Sequence, residues 1–127
     1  MVQAPTPAAV EVLRNSTNVQ QQQESLKRLK NSLIGHDQIK ESAVRHGVVE
    51  SLVAIRSGEA RLQATIISGS IASGGPALVA PLIAGGLPQY LLEALSWREE
   101  YKLVTASLRA LKNLAVSWYV CSTAICL

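Results

Sequence analysis

The chain has 127 residues, 48% of them hydrophobic and only 4% aromatic with no Phe, and carries a formal net charge of +3. That length suits one domain, and that hydrophobic content excludes a disordered chain. A core drawn from Leu, Ile, Val and Ala favours close-packed helices over a β-sandwich, and so mild a charge without a clustered basic face argues against a nucleic-acid binder.

Residues 1–18 begin rich in Pro and Ala and read as a flexible leader, with one helical piece over 8–14 and a run of capping residues at Asn15, Ser16, Thr17 and Asn18. Pro5 and Pro7 interrupt the start, which has no basic segment followed by an apolar run and so no signal-peptide pattern. A helix is predicted over 19–34, with Val19, Gln22, Leu26, Leu29 and Leu33 on one face and Lys27, Arg28 and Lys30 mostly off it. Gln20 to Gln23 reads as a solvated helix start. Gly35 ends this helix in a left-handed cap. Asp37 then caps a short helix over 38–45, which His46 and Gly47 terminate. Residues 48–55 form the next helix, whose broad apolar face comprises Val48, Val49, Leu52, Val53 and Ile55. After a turn at Ser57 and Gly58, a longer helix is expected over 59–73 with Leu62, Ile66, Ile67 and Ile71 in the core. Gly69 inside it costs about 1 kcal/mol of helix propensity relative to Ala, which points to a neighbouring helix packed closely there.

The same order then recurs. Pro76 suits a first helical turn, 77–84 forms a short helix, and Gly85 and Gly86 end it. Pro88 begins a second helix that runs to about residue 96, and a long one follows over 99–115 with Leu103, Val104, Leu108, Leu111 and Leu114 as its core side. Gly47 in RHGVV recurs as Gly86 in AGGLP 39 positions later, and Asn31 in LKRLKN recurs as Asn113 in LRALKN 82 positions later. A helical period near forty, with three helices in each unit, is the pattern of an armadillo solenoid. The expected fold is all-α: an armadillo-type α-solenoid fragment over 19–115, made of two full three-helix repeats and the last helix of a preceding one. Residues 116–127, VSWYVCSTAICL, read as an atypical apolar tail. They bear no charge and offer no polar cap for an end helix, so an incomplete solenoid prone to self-association is expected.

Residues 62–92 carry no charge at all, which invites a membrane reading. Gly69, Gly74, Gly75, Pro76, Pro81, Gly85, Gly86 and Pro88 cut the stretch into pieces far shorter than the roughly 20 residues a span needs, and a buried repeat explains the same composition. Cys121 and Cys126 are too few for a structural zinc site, and no cofactor is implied. His36, Asp37 and His46 form the one conceivable catalytic trio, but capping and helix-end roles account for Asp37 and His46. No G-x-S-x-G sequence, no Cys beside a His and no phosphate loop accompany them, so catalysis is not expected.

Three passages carry a resemblance: LKNSLIGHDQIKESAVRHGVVESLVAI at 29–55, SGSIASGGPALVAPLIAGGLPQYLLEAL at 68–95 and SLRALKNL at 107–114. They resemble the amino-terminal repeats of the armadillo repeat-containing protein 8 family, over residues 19–115. The resemblance implies a non-enzymatic scaffold of a ubiquitin ligase, the glucose-induced-degradation complex of yeast or the CTLH complex of animals, found in cytoplasm and nucleus. Its partners would be other subunits of that complex and its substrate receptor, with no nucleic acid and no membrane. Family members are several times longer and carry many repeats. Asn31 and Asn113 match the long-helix asparagine of many armadillo proteins, and the middle unit departs with Ser70. Where nuclear-import receptors place a tryptophan, Lys27 and Arg109 stand instead, which argues against recognition of nuclear-localisation signals. An asparagine in a groove can hold an extended peptide through its backbone, or it can satisfy a neighbouring helix end. Lys27, Arg28, Lys30, Arg109 and Lys112 would add a positive cast suited to acidic segments, or a plain solvated face. The candidate groove residues are therefore Lys27, Lys30, Asn31, Ser70, Arg109 and Asn113.

Overall fold

The computed structural model describes residues 18–33, 37–56, 58–97 and 99–125. Among them the chain is all-helical. Helix α1 is Val19–Leu33, α2 Asp37–Arg45, α3 Val48–Val53 and α4 Gly58–Ala72. A turn of 3-10 helix at Pro76–Leu78 leads into α5, Val79–Ala84, followed by α6, Leu87–Ala94, and α7, Tyr101–Ile125. Two shorter helices followed by a long one thus occur twice after a first long helix, although in the first unit the nine-residue α2 is longer than the six-residue α3. No continuous helix crosses 62–92, and no helix of the described residues is long and apolar enough to cross a membrane.

Local signals set the boundaries. Asn18 starts α1, its Oδ1 accepting the Gln21 backbone N–H at 2.7 Å. His46 closes α2 by donating from Nδ1 to the Ser42 carbonyl at 2.7 Å. Gly47 and Gly86 take equivalent places before α3 and α6, with φ of 85° and 84°, a left-handed conformation open to glycine at no steric cost. The Gly35 cap, His36 and the Asp37 side chain lie outside the described residues.

The long helices stand side by side, with α4 between α1 and α7. Asn113 meets Gly69 and Ser117 meets Ala72, so contact positions rise together along α4 and α7 and the two run parallel. A Cβ on Gly69 would lie 3.4 Å from Cα and Cβ of Ala110, which is the close approach its sequence position predicts. Ala60, Ala64, Thr65, Ile67, Ser68, Ile71 and Ala72 are buried with it, so α4 is covered on nearly every side. That burial accounts for the uncharged start of the 62–92 stretch. The Thr65 and Ser68 hydroxyls are satisfied inside the helix, donating to the Arg61 and Ala64 carbonyls at 2.9 and 2.8 Å. Leu26, Leu29 and Leu33 of α1 and Val48, Val49, Leu52 and Ile55 complete this core as expected.

Three expectations need correction. Ile66 is exposed rather than buried, and Leu62 is half-buried, because Thr65 and Arg61 respectively take the inward position one residue earlier. Leu108 is likewise exposed, and Val104 only half-buried. The last long helix does not stop near Ala115 but continues to Ile125. Ser117 marks the continuation, donating from Oγ to the Ala72 carbonyl at 2.6 Å. The side chains of residues 120–127, including Cys121 and Cys126, lie outside the described ones.

Arg61 is fully buried and joins α4 to the second unit. Its guanidinium donates to the Tyr90 carbonyl at 3.0 Å and to Glu93 at 3.3 Å, and stacks on the Tyr90 and Trp97 rings at 4.5 Å each. Glu93 also pairs with Arg56, which lies over the Tyr90 ring at 5.7 Å. The Tyr90 hydroxyl donates to the Ile55 carbonyl at 2.6 Å, tying α6 to the turn between α3 and α4. Burial pushes the Tyr90 phenol up to about 12, against the opposing pull of the Arg61 and Arg56 cations.

Candidate functional site

Helix periodicity brings one face of each long helix to the same side. On α1 that face contains Gln20, Gln23, Glu24, Lys27 and Lys30; on α4, Glu59, Gln63, Ile66 and Ser70; on α7, Lys102, Ala106, Arg109 and Asn113. Steps of three and four residues put such positions on one helical face. The result is a row of hollows along the seams between the helices.

The seam between α1 and α4 forms a hollow of about 340 Å³ lined by Gln20, Gln23, Glu24, Lys27, Lys30, Glu59 and Gln63. The seam between α4 and α7 has two. One, of about 290 Å³, lies at the helix starts among Glu59, Leu62, Glu99, Glu100 and Lys102. The other, of about 200 Å³, lies midway among Thr65, Ile66, Ser70, Arg109 and Asn113. Carboxylates therefore gather near the amino-terminal ends of the long helices, with Gln20, Gln23 and Lys102 among them, and Lys27, Lys30, Arg109 and Asn113 sit further along.

The six candidate residues fall into two groups and an outlier. Lys27 and Lys30 share the first hollow with Glu24 and Glu59, so their charge is not a uniform basic strip. Ser70, Arg109 and Asn113 share the mid-seam hollow. Asn31 is exposed at the end of α1 and lines neither. Asn113 is half-buried and donates from Nδ2 to the Gly69 carbonyl at 3.1 Å. That bond holds the amide plane and leaves Oδ1 as an acceptor. The bond fits the expectation of a helix carbonyl satisfied across a seam, and it also orients the acceptor.

Sequence reasoning missed Ile66, Gln63, Glu24, Glu59 and Ala106 on this face. The signal was present: counting back by fours and threes from Asn31, Ser70 and Asn113 reaches all of them. An isoleucine in the uncharged part of a helix reads as buried; here Ile66 gives the mid-seam hollow an apolar wall. No group of three or more His, Cys, Asp or Glu side chains able to hold a metal occurs among the described residues.

No protein-family model and no curated protein matches the chain. Two crystal structures of engineered proteins from the Northeast Structural Genomics Consortium are similar to it. One is 26% identical with a TM-score of 0.79, over 87% of this chain and 45% of its own. The other is 25% identical with a TM-score of 0.81, over 94% of this chain and 29% of its own. The chain thus spans less than half the length of either structure.

Proposed function

We propose that this chain is a non-enzymatic, armadillo-type scaffold that grips an extended segment of a partner protein on the shared face of α1, α4 and α7. The observation that carries the reading is the mid-seam hollow. There Asn113 is held by Gly69 with Oδ1 left as an acceptor for a backbone N–H, Ser70 supplies a hydroxyl, Ile66 an apolar wall and Arg109 a cation. An amide acting on backbone groups holds a strand-like peptide with little regard to its sequence, and cations beside it select acidic side chains. Lys27 and Lys30 extend the cationic positions to the first seam, while Glu24 and Glu59 there favour a partner whose acidic residues are interrupted by polar or basic ones. Asn31 has the less developed role, at the outer end of the face. The resemblance to the armadillo repeat-containing protein 8 family supports a specific setting: a ubiquitin ligase subunit, in cytoplasm and nucleus, linking a substrate receptor to catalytic subunits on other chains.

The test is affinity purification of the tagged chain beside a Lys27→Glu, Arg109→Glu, Asn113→Ala variant. The native chain is expected to bring down RING-type ligase subunits, and the variant to lose a salt-sensitive subset of partners while keeping native helix content. Identical partner sets for both, or no ligase subunit in either, would contradict the proposal.

A further inference from the structure

The mid-seam hollow between α4 and α7 has an apolar end and a polar end. Gly69 lies against Ala110 at its floor, and Ala106 brings only a methyl. The Thr65 hydroxyl is bound to the Arg61 carbonyl at 2.9 Å, and Ile66 stands 37% exposed at the rim. These side chains present carbon to a ligand. About one helical turn further on, Ser70, Arg109 and Asn113 present a hydroxyl, a cation and the Oδ1 acceptor that the bond to Gly69 leaves. Among the described residues the arginines paired with a carboxylate are Arg56 and Arg61, both on Glu93, and no carboxylate lines this hollow.

The seam is open on one side of the hollow and closed on the other. Asn113 donates to the Gly69 carbonyl at 3.1 Å, and one turn later Ser117 donates to the Ala72 carbonyl at 2.6 Å, so the two helices are fastened together past the hollow. Towards the helix starts the seam opens into the second hollow, of about 290 Å³. An extended chain lying in the seam therefore has a way in from the helix starts and a blind end at Asn113. The hollow's volume of about 200 Å³ is the scale of one residue, since a cavity of about 150 Å³ already holds a benzene.

We propose that the mid-seam hollow captures the carboxyl-terminal residue of a partner protein, one with an aliphatic side chain. The proposal rests on the groove reading above and names the part of the partner that the α4–α7 seam takes. An α-carboxylate, a backbone N–H and a side chain belong to one terminal residue, which answers both ends of the hollow at once. The carboxylate meets the Arg109 guanidinium and the Ser70 hydroxyl, the N–H meets Asn113 Oδ1, and the side chain covers Ala106 and Ile66. An acidic side chain in mid-segment would use the same cation, but it leaves the apolar end unfilled, and its chain must continue past Asn113 where the seam is closed. The other hollow sets the approach. Glu59, Glu99 and Glu100 outnumber Lys102 among the described residues that line it, so it favours a cation on the incoming tail. Glu59 and Ser70 stand eleven positions apart on α4, about 16 Å along the helix, which an extended tail at about 3.3 Å per residue covers in about five residues. The preferred tail thus carries Lys or Arg about five residues before a terminal Leu, Ile or Val.

The experiment is fluorescence anisotropy with the native chain and a fluorescein-labelled Gly/Ser peptide that carries Lys about five residues before a terminal Leu. The same peptide is compared as its carboxyl-terminal amide, with a Gly-Gly extension after Leu, and with Ser in place of Leu; an amidated Gly/Ser peptide with internal Asp residues is the remaining probe. The free acid is expected to bind saturably and at least about tenfold more tightly than the amide, the extended or the Ser-terminated form. Arg109→Gln should remove the difference between acid and amide, and Ile66→Ser the preference for Leu over Ser, while Glu50→Lys on exposed α3 changes neither. The comparison of acid with amide uses the native chain and needs no variant to fold. Acid and amide that bind alike, an extended peptide that binds as well as the free tail, or binding of the internal Asp peptide alone would overturn the proposal and leave the groove reading in place. No saturable binding of any of these peptides up to about 1 mM would overturn both.

Discussion

Gly85 and Gly86 are neighbours that must be glycine for different physical reasons, and a small set of variants separates them. Gly85 has φ of −79°, which any residue adopts, but a Cβ there would lie 2.4 Å from Val49 Cγ1 and 3.1 Å from Val49 Cβ. Gly86 is the reverse: a Cβ would meet nothing within 4 Å, yet φ is 84°. Gly85→Ala therefore overpacks the seam between α3 and α5, a cost of about 1–3 kcal/mol. Against that stands about 0.4–1 kcal/mol gained from a stiffer unfolded chain. A net loss of about 1–2 kcal/mol follows, equivalent to about 3–8 °C in the melting temperature for a chain of this size. Gly86→Ala forces an L-residue into the left-handed region and loses about 1–2 kcal/mol as well. The single variants look alike; the Val49→Ala background tells them apart. Removing the two Val49 methyls opens the space, so Gly85→Ala should cost about 1 kcal/mol less there than in the native chain. Gly86→Ala should cost the same in both backgrounds, while Gly86→Asn should recover part of its loss because Asn tolerates the left-handed region. Urea melts followed by circular dichroism give these differences. A Gly85→Ala penalty that is independent of residue 49 would refute the close approach, and a Gly86→Val that melts with the native chain would refute the positive φ.

Arg61→Ala should lose about 3 kcal/mol in the same melts, since it opens a cavity and strips charge-assisted bonds from the Tyr90 carbonyl; a loss below about 0.5 kcal/mol would show that the stack is dispensable. Because the folded Tyr90 phenol titrates near 12 and the unfolded one near 10, the unfolded state releases its proton first. The stabilising contribution is thus complete below pH 10 and is lost as pH rises towards 12. Tyr90→Phe should remove that part of the alkaline slope, and an unchanged slope would contradict it. Ser117→Ala should lose about 1 kcal/mol by freeing the Ala72 carbonyl; no loss would mean that α7 does not pack on α4 past Ala115.

Much of the architecture is legible in the sequence because it rests on local chemistry. Glycines at 47 and 86, Asn18 before α1 and Pro76 and Pro88 at helix starts are punctuation that acts over a few residues. The apolar face of α1 is clear because charged side chains border it. On α4 no such border exists after Gln63: with Ala, Ser, Gly and Ile on every side, periodicity does not choose a face, and Ile66 reads as inward. Arg61 is illegible for a different reason. A buried arginine becomes tolerable only through Tyr90, Glu93 and Trp97, which lie about thirty or more positions away in sequence and meet it only in the fold. Leu108 reads as core because a helix face is buried by its neighbour, and the sequence of α7 alone does not disclose that Leu108 has none among the described residues. On the candidate face, the asparagines and cations stand out by their recurrence, but their division between two seams depends on helix rotation.

The central claim, that the shared face of α1, α4 and α7 holds an extended partner segment, is tested most directly by an amide chemical-shift titration. The ligand would be an acidic peptide selected on the native chain. The expected result is a set of saturable shifts concentrated at Gln63, Ile66, Ser70, Ala106, Arg109 and Asn113, abolished in Asn113→Ala, Arg109→Glu. Shifts centred instead on α2, α5 or the outer side of α7, or unchanged binding by that variant, would contradict it.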